Sequence, residues 1–346
     1  MPIIDLKPRK ILVRSTNWIG DAIMTTPAVR TIRVNFPDAH IAVLVQPWVA
    51  DVFAASPHVN ELIIYDKKGA HQGLAGMYRL GRELAAAHFD MAILLQNAFE
   101  AALLARLAGI PVRCGYSRDA RRLLLTHPVK LPRERKIRHH VHYYQELLAD
   151  LGLNPGSDEL FLRLPPAAEA WAADFVKSLG DRPLVGINPG AAFGPAKRWP
   201  AERYGQVGQR LAQEFGARLV VFGTAADRQA AAAIKAMAPE ATEDLTGRTS
   251  LAQAMALIGR CNCFVTNDSG LMHVGAALKT PLVALFGSTN AVATGPFSDN
   301  SVVVRHELPC SPCLKTHCKT DFRCMLDISV DDVLAPARRL LSGRRD

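Results

Sequence analysis

Asn267-Asp268-Ser269-Gly270 separates two apolar patterns: Cys263-Phe264-Val265 before it, and Leu271, Val274, Ala277 and Leu278 at helical spacing after it. A buried strand, a polar turn and a short helix in that order make half of a nucleotide-binding α/β unit. Asp268 or Ser269 caps the helix, whose unpaired first amides then suit an anion, pyrophosphate above all. Taken singly, the turn reads first as no more than a well-capped junction. Two similar junctions elsewhere shift the weight. Ser15 to Asp21 follows the apolar Ile11-Leu12-Val13 and carries one acid, Asp21, after Gly20. Asp21 serves there as a helix-dipole partner, worth about 0.3–1 kcal/mol, or as a general base. The third junction, NPGAAFGPAKRWP from Asn188 to Pro200, has Gly190 and Gly194 for close backbone approach and Lys197-Arg198 for anion contact. Lys197 suits a leaving pyrophosphate. Neither a G-x-G-x-x-G fingerprint in the first loop nor a Walker A loop in the second is present.

These loops need strands and helices to hold them. Strands are expected at Ile11–Val13, Ile41–Val45, Leu62–Tyr65, Met91–Leu95 and Val112–Gly115. Helices are expected from the first loop to about Asn35, and at Leu74–Ala87, Glu100–Ala108 and His140–Leu151. Such repetition implies a parallel sheet covered on both faces. Residues 153–166, with Asn154-Pro155-Gly156 and Pro165-Pro166, read as a linker between domains 1–152 and 167–346. The second half restarts the pattern: strands at Leu184–Ile187, Leu219–Phe222 and Pro281–Phe286, and helices at Glu202–Phe215, near Asp227 and at Leu251–Ile258. The expected class is α/β, two doubly wound domains facing a cleft into which all three loops point, with a C-terminal helix able to pack back on the first domain.

The 346 residues are 49% hydrophobic and 21% charged, a globular composition that excludes disorder. No apolar run approaches the ~18 residues of a membrane span, and MPIIDLKPRK lacks the features of a signal peptide. A cytoplasmic location follows as an expectation. The net charge of +9 is concentrated: nine Lys/Arg stand against two acids between Ile110 and His142. That stretch is a solvated face or the footprint of an anionic partner. Nucleic acid is disfavoured, because only Tyr116 is interleaved with the arginines.

NWIGDAIMTTPAVR, NPGAAFGPAKRWP and TNDSGLMHVGAAL, in this order and spacing, resemble the lipopolysaccharide heptosyltransferases of glycosyltransferase family 9, most closely the type II members. The resemblance covers nearly the whole chain. It implies a GT-B architecture, two Rossmann-like domains with the acceptor on the first and the nucleotide-sugar on the second. It further implies inverting transfer of L-glycero-D-manno-heptose from ADP-heptose to the first heptose of the inner core on Kdo2-lipid A. By the same resemblance Asp21 is the base and Lys197 contacts the donor phosphate. Asp268 holds heptose hydroxyls, Ser269, Gly270 and Leu271 offer amides to the diphosphate, and His273 lies nearby. Asn188 and Gly190 line the donor loop, and Asp227 stands near the position of the family's ribose-binding acid. Arg113, Arg118, Arg121, Arg122, Lys136 and Arg138 are then acceptor-binding candidates, meeting phosphates and the anionic inner leaflet of the inner membrane. No cofactor or divalent metal is implied, and no Asp-x-Asp motif is present.

Four of the seven cysteines are spaced Cys310-x2-Cys313-x4-Cys318-x5-Cys324, with His317 among them. Spacing alone reads as a zinc or iron–sulfur loop, or as reduced thiols ordering a loop. Cys114, Cys261 and Cys263 are expected in the core. Competing readings are a type I or type III heptosyltransferase, a sugar-nucleotide enzyme such as a 2-epimerase, and a metal- or nucleic-acid-binding protein.

Overall fold

The computed structural model describes residues 2–132 and 137–343. The chain divides into two compact units, one ending at Arg163 and the other beginning at Leu164. The first unit runs β1 (Lys10–Arg14), α1 (Ile19–Met24), α2 (Thr26–Asn35), β2 (His40–Val45), β3 (Glu61–Ile64), α3 (Gly73–Ala86), β4 (Met91–Leu94), α4 (Phe99–Leu107), β5 (Val112–Tyr116), β6 (His127–Val129) and α5 (His140–Asp150). All its strands are parallel, in the order β3-β2-β1-β4-β5-β6. The central strand β1 pairs Val13 with Val43 of β2 and with Ile93 of β4. Its residues after Lys10 are all buried, as expected of a strand covered on both faces.

The second unit contains α6 (Pro166–Ser178), β7 (Leu184–Asn188), α7 (Ala201–Phe215), β8 (Arg218–Val221), α8 (Arg228–Met237), β9 (Thr242–Asp244), α9 (Leu251–Ile258), β10 (Cys263–Asn267), α10 (Gly270–Ala277), β11 (Leu282–Leu285), α11 (Ala291–Thr294), β12 (Ser301–Val304), α12 (Arg323–Leu326) and α13 (Val330–Leu341). Its parallel sheet, β12-β11-β10-β7-β8-β9, repeats the topology of the first. In each sheet the strand order reverses beside the first strand, between β1 and β4 and between β7 and β10. Open α/β sheets bind ligands at the carboxyl ends of strands flanking such a point.

Several expectations need correction. The first helix is two: Pro27 has no N–H to donate to the Ile23 carbonyl, and the Thr26 hydroxyl takes that acceptor at 2.7 Å. Most of the predicted linker belongs to the first unit. Leu153 and Leu160 are buried, Arg30 donates to the carbonyls of Ser157 and Glu159, and the Phe161 N–H donates to Thr26 Oγ1. Pro165-Pro166 starts α6, because proline suits the first helical position. The short outer strands β6, β9 and β12 were absent from the sequence reading; three or four residues are too few to show a period, and Pro128 argues locally against a strand. The last helix, α13, buries Val333, Leu334 and Ala337 in the core of the second unit, beside Val265, Val283 and Leu285. Among the described residues no helix is long and apolar enough to cross a membrane.

Candidate active site

In the first unit the loops after β1 and β4 and the start of α5 enclose a cavity of about 370 Å³. That size falls within the usual range for small-molecule sites, ~300–1,000 Å³. Thr16, Asn17, Trp18 and Asp21 line it from the first loop, Gln96 and Asn97 from the second, and His140 and Tyr143 from α5, with Arg118 between them. Asp21 is in the first turn of α1, and His140 Nδ1 approaches its Oδ1 at 3.8 Å. Asn97 donates to the Tyr143 hydroxyl at 2.7 Å, and burial raises the pKa of that hydroxyl against the opposing pull of Asn97 and Arg118. Burial raises the Tyr144 hydroxyl well above its ordinary value, and the Asp21 carboxylate adds to that. Tyr144 therefore stays protonated.

The wall behind Asn17 is set by Arg14, which is 2% exposed. Its guanidinium donates to the carbonyls of Ser15 and Leu44 and to Asn17 Oδ1. Burial lowers its pKa to about 10, opposed by the nearby Glu100 and Tyr65. Burial works against the Glu100 charge, yet bonds from Lys67 and Tyr65 hold its pKa below the ordinary value.

The basic stretch does not act as one face. Arg118 lines the cavity and Arg122 is exposed. Arg121, an acceptor-contact candidate, is 0% exposed. Its Nε donates to the Tyr116 carbonyl, one terminal nitrogen to the Gln96 carbonyl and the other to Asn97 Oδ1. Its guanidinium is therefore enclosed behind Gln96 and Asn97 and positions them, so direct acceptor contact is withdrawn. Arg113 likewise holds local backbone, donating to the carbonyls of Leu124, Ile110 and Pro111. Arg138 pairs with Glu146 at 2.5 Å. Lys136 lies outside the described residues.

These placements separate two neighbouring residues. Arg121→Glu buries an unpaired charge beside the Gln96 carbonyl and Asn97 Oδ1, which lose their guanidinium donor, a loss of several kcal/mol that prevents folding. Arg122→Glu is expected to keep the wild-type melting temperature, because the side chain is exposed, and to raise the acceptor KM if Arg122 is the phosphate contact that the resemblance implies. Thermal melts of both, with acceptor titrations of the second, check this.

In the second unit β7, β10 and β11 end together, and each contributes. Lys197 Nζ lies 2.5 Å from Asp268 Oδ2, with the two side chains 12% and 5% exposed. The Thr289 hydroxyl donates to the same oxygen at 2.5 Å. Lys197 also sits over the Phe193 ring, 4.8 Å from its centroid. Ser269 caps α10, accepting from the Met272 N–H, and receives the Asn188 amide at 2.8 Å. Gly270 and Leu271 open the helix, and His273 is buried one turn on. Asn267, fully buried, ties the long second loop to β10. Its Oδ1 accepts from the Trp199 N–H and the Tyr204 hydroxyl, while its Nδ2 donates to the Pro189 carbonyl.

Asp227 is held locally. Its Oδ2 accepts from the Thr224 N–H and hydroxyl in a capping box, and Arg198 lies 3.8 Å from Oδ1. Gly190 lies opposite, where a Cβ would come within 2.9 Å of the Asp227 carboxyl.

Asn188, Lys197, Asp268, Ser269 and the first residues of α10 thus form one cluster: a cation, a carboxylate and a helix N-terminus. The sequence reading missed Thr289, Gln96, Asn97 and Tyr143 as site residues. The one available signal was their position just past the ends of predicted strands, or in a helix start beside a basic run.

The family model for glycosyltransferase family 9 (heptosyltransferase) matches residues 77–322. The chain belongs to glycosyltransferase family 9. It is a heptosyltransferase-type enzyme, and its two sheets are the Rossmann-like pair of the GT-B architecture. Lipopolysaccharide heptosyltransferase 2 of Escherichia coli K12 is 35% identical over 86% of this chain and 88% of that relative. The structure of E. coli ADP-heptose LPS heptosyltransferase II aligns with a TM-score of 0.82 at 32% identity, covering 96% of this chain and 99% of that one. A family 9 glycosyltransferase from Veillonella parvula aligns with a TM-score of 0.89 at 30% identity, over 97% and 98%.

In this family 9 chain, Cys310, Cys313, Cys318 and Cys324 line one small cavity of about 50 Å³ with Lys315, Lys319 and Arg323. Among the described residues no three His, Cys, Asp or Glu are grouped to hold a metal ion. The loop is also tied into the second unit by backbone bonds. The Thr316 carbonyl accepts from the Ala196 N–H, and Leu314 N–H donates to the Ser288 carbonyl, linking it to the segments bearing Lys197 and Thr289. Bonds from the Thr320 hydroxyl and backbone lower the Cys318 pKa, whereas burial raises Cys324 to about 11. Cys114, Cys261 and Cys263 are buried core residues, as expected. Iodoacetamide in native buffer is expected to label Cys318 ahead of all the buried thiols, and Thr320→Val to slow it several-fold. Peptide mapping by mass spectrometry reads the order.

Proposed function

We propose that the chain transfers L-glycero-D-manno-heptose from ADP-heptose to the first heptose of the lipopolysaccharide inner core, with inversion at the anomeric carbon. The observation that carries the reading is Lys197 held at Asp268 beside the first amides of α10. A cation and a helix N-terminus together suit the charge that develops on a departing diphosphate. The names of the type 2 relatives, one of them an ADP-heptose LPS heptosyltransferase, support ADP-heptose as donor and lipopolysaccharide as acceptor.

Asp21 is the general base, taking the acceptor hydroxyl proton as the new glycosidic bond forms. Asp268 orients donor hydroxyls, Asn188 and Ser269 shape the phosphate cradle, and Asp227 with Gly190 borders the nucleotide. Arg118, Arg122 and Arg138 meet the phosphates of Kdo2-lipid A and the anionic leaflet on which it sits, giving peripheral contact with the inner membrane from the cytoplasmic side. Because Lys197 and the helix terminus supply positive charge at the leaving group, no divalent metal is needed and activity in EDTA is expected.

The test is ADP release with ADP-heptose and two acceptors, heptose-free and mono-heptosylated Kdo2-lipid A. Turnover confined to the mono-heptosylated acceptor supports the type II reading. Turnover on the heptose-free acceptor assigns type I activity instead, and no ADP release on either overturns the proposal.

A further inference from the structure

The cavity of the first unit places an imidazole against the proposed base in a way that the reaction scheme above does not use. His140 is the first residue of α5, and the preceding His139 caps that helix by accepting from the Val141 N–H at 3.2 Å. Its ring leans on Tyr143, with centroids 5.8 Å apart and planes at 42°. Helix and aromatic ring therefore fix where the imidazole points. Its Nδ1 is shielded from solvent and, among the described residues, has no hydrogen-bond partner. The polar atom facing it is Asp21 Oδ1, at 3.8 Å.

A shielded ring nitrogen without a partner costs about 1–3 kcal/mol, so an arrangement that satisfies it is favoured. An ionised carboxylate only accepts hydrogen bonds, and the nitrogen facing it must then carry the proton. The separation exceeds a hydrogen bond by about 1 Å, a gap common in ligand-free sites that tighten when substrate arrives. Asp21 has room to close it, since its side chain is 31% exposed. Arg118, the arginine lining the cavity, acts on the Tyr143 hydroxyl.

We infer that His140 is a positioning residue for Asp21, donating its Nδ1 proton to Oδ1 and presenting the other carboxylate oxygen to the acceptor hydroxyl. This rests on the reading of Asp21 as the base. As the acceptor oxygen bonds to the anomeric carbon, the carbon–oxygen bond to the diphosphate breaks and its electron pair leaves with ADP. The hydroxyl proton passes to Asp21, and His140 keeps its own proton throughout. A carboxylate left to rotate loses near-attack geometry, and a misplacement of about 1 Å can cost roughly 10²-fold in rate.

The experiment measures ADP release by the full chain with ADP-heptose and mono-heptosylated Kdo2-lipid A. His140→Ala is expected to lower kcat about 10–100-fold while leaving the donor KM unchanged. His140→Asn, whose amide N–H takes the place of Nδ1–H, should recover most of that loss. His140→Gln, whose amide lies at the Nε2 position, should not. On an Asp21→Asn background, His140→Ala should cost nothing more, because the two side chains act as a unit. Wild-type kcat in His140→Ala, equal rates in the Asn and Gln variants, or additive losses in the double variant would each overturn the inference. If His140→Ala fails to fold, the Asn and Gln pair decides. Wild-type turnover in Asp21→Asn alone would instead remove the base assignment, a result distinguishable from an inactive Asp21→Asn beside an unaffected His140→Ala.

Discussion

Asp21→Asn is expected to lower kcat by about 10²–10⁴-fold, the usual contribution of a positioned general base. The amide keeps the size of the carboxylate but cannot take the acceptor proton. Folding should survive, because the side chain is partly exposed and loses only a helix-terminus interaction of about 0.3–1 kcal/mol. Binding of ADP, assigned to the second unit, should match wild type by calorimetry. A variant that keeps its melting temperature and ADP affinity while losing turnover isolates the base. A fall of less than tenfold would show that the acceptor proton goes elsewhere.

Lys197→Met should lose both activity and stability, for separate reasons. Removing the ammonium takes away the charge proposed to stabilise the departing diphosphate, and a single preorganised donor of that kind is worth about 10²–10³ in kcat. It also leaves Asp268, 5% exposed, with only the Thr289 hydroxyl on its paired oxygen. Truncating one partner of a buried pair costs about 3–5 kcal/mol, because the remaining charge has lost both water and counter-ion. Adding Asp268→Asn to Lys197→Met removes that stranded charge, so the melting temperature should rise again while activity stays low. Thermal melts and ADP-release rates on the three variants separate the two roles. Recovery of activity in the double variant would make Lys197 a structural residue only.

Much of this architecture was legible in the residues. Runs such as Ile11-Leu12-Val13 and Cys263-Phe264-Val265 are apolar without alternation, the pattern of strands covered on both faces, and each ends in a polar junction that the fold uses. Of the nine donor-site candidates that the resemblance implies, Asn188, Lys197, Asp268 and Ser269 come together at the strand ends, whereas Asp227 is held in a capping box of its own. The arginines were not sortable in this way. Arg121 and Arg122 are adjacent and chemically identical, yet one is enclosed and the other exposed. The carbonyls of Tyr116 and Gln96 that enclose Arg121 come from the ends of different strands.

The sequence by itself determined the doubly wound class, the polar junctions at the strand ends and the family to which the chain belongs. All of these are written in local periodicity and short motifs. The tertiary structure alone decided which side chains reach those strand ends in company. It set Thr289 on Asp268, Arg118 rather than Arg121 in the cavity wall, and His140 against Asp21. Those meetings depend on strand order and helix placement, which are fixed by pairings between residues far apart in the chain and leave no mark in the local pattern at either residue.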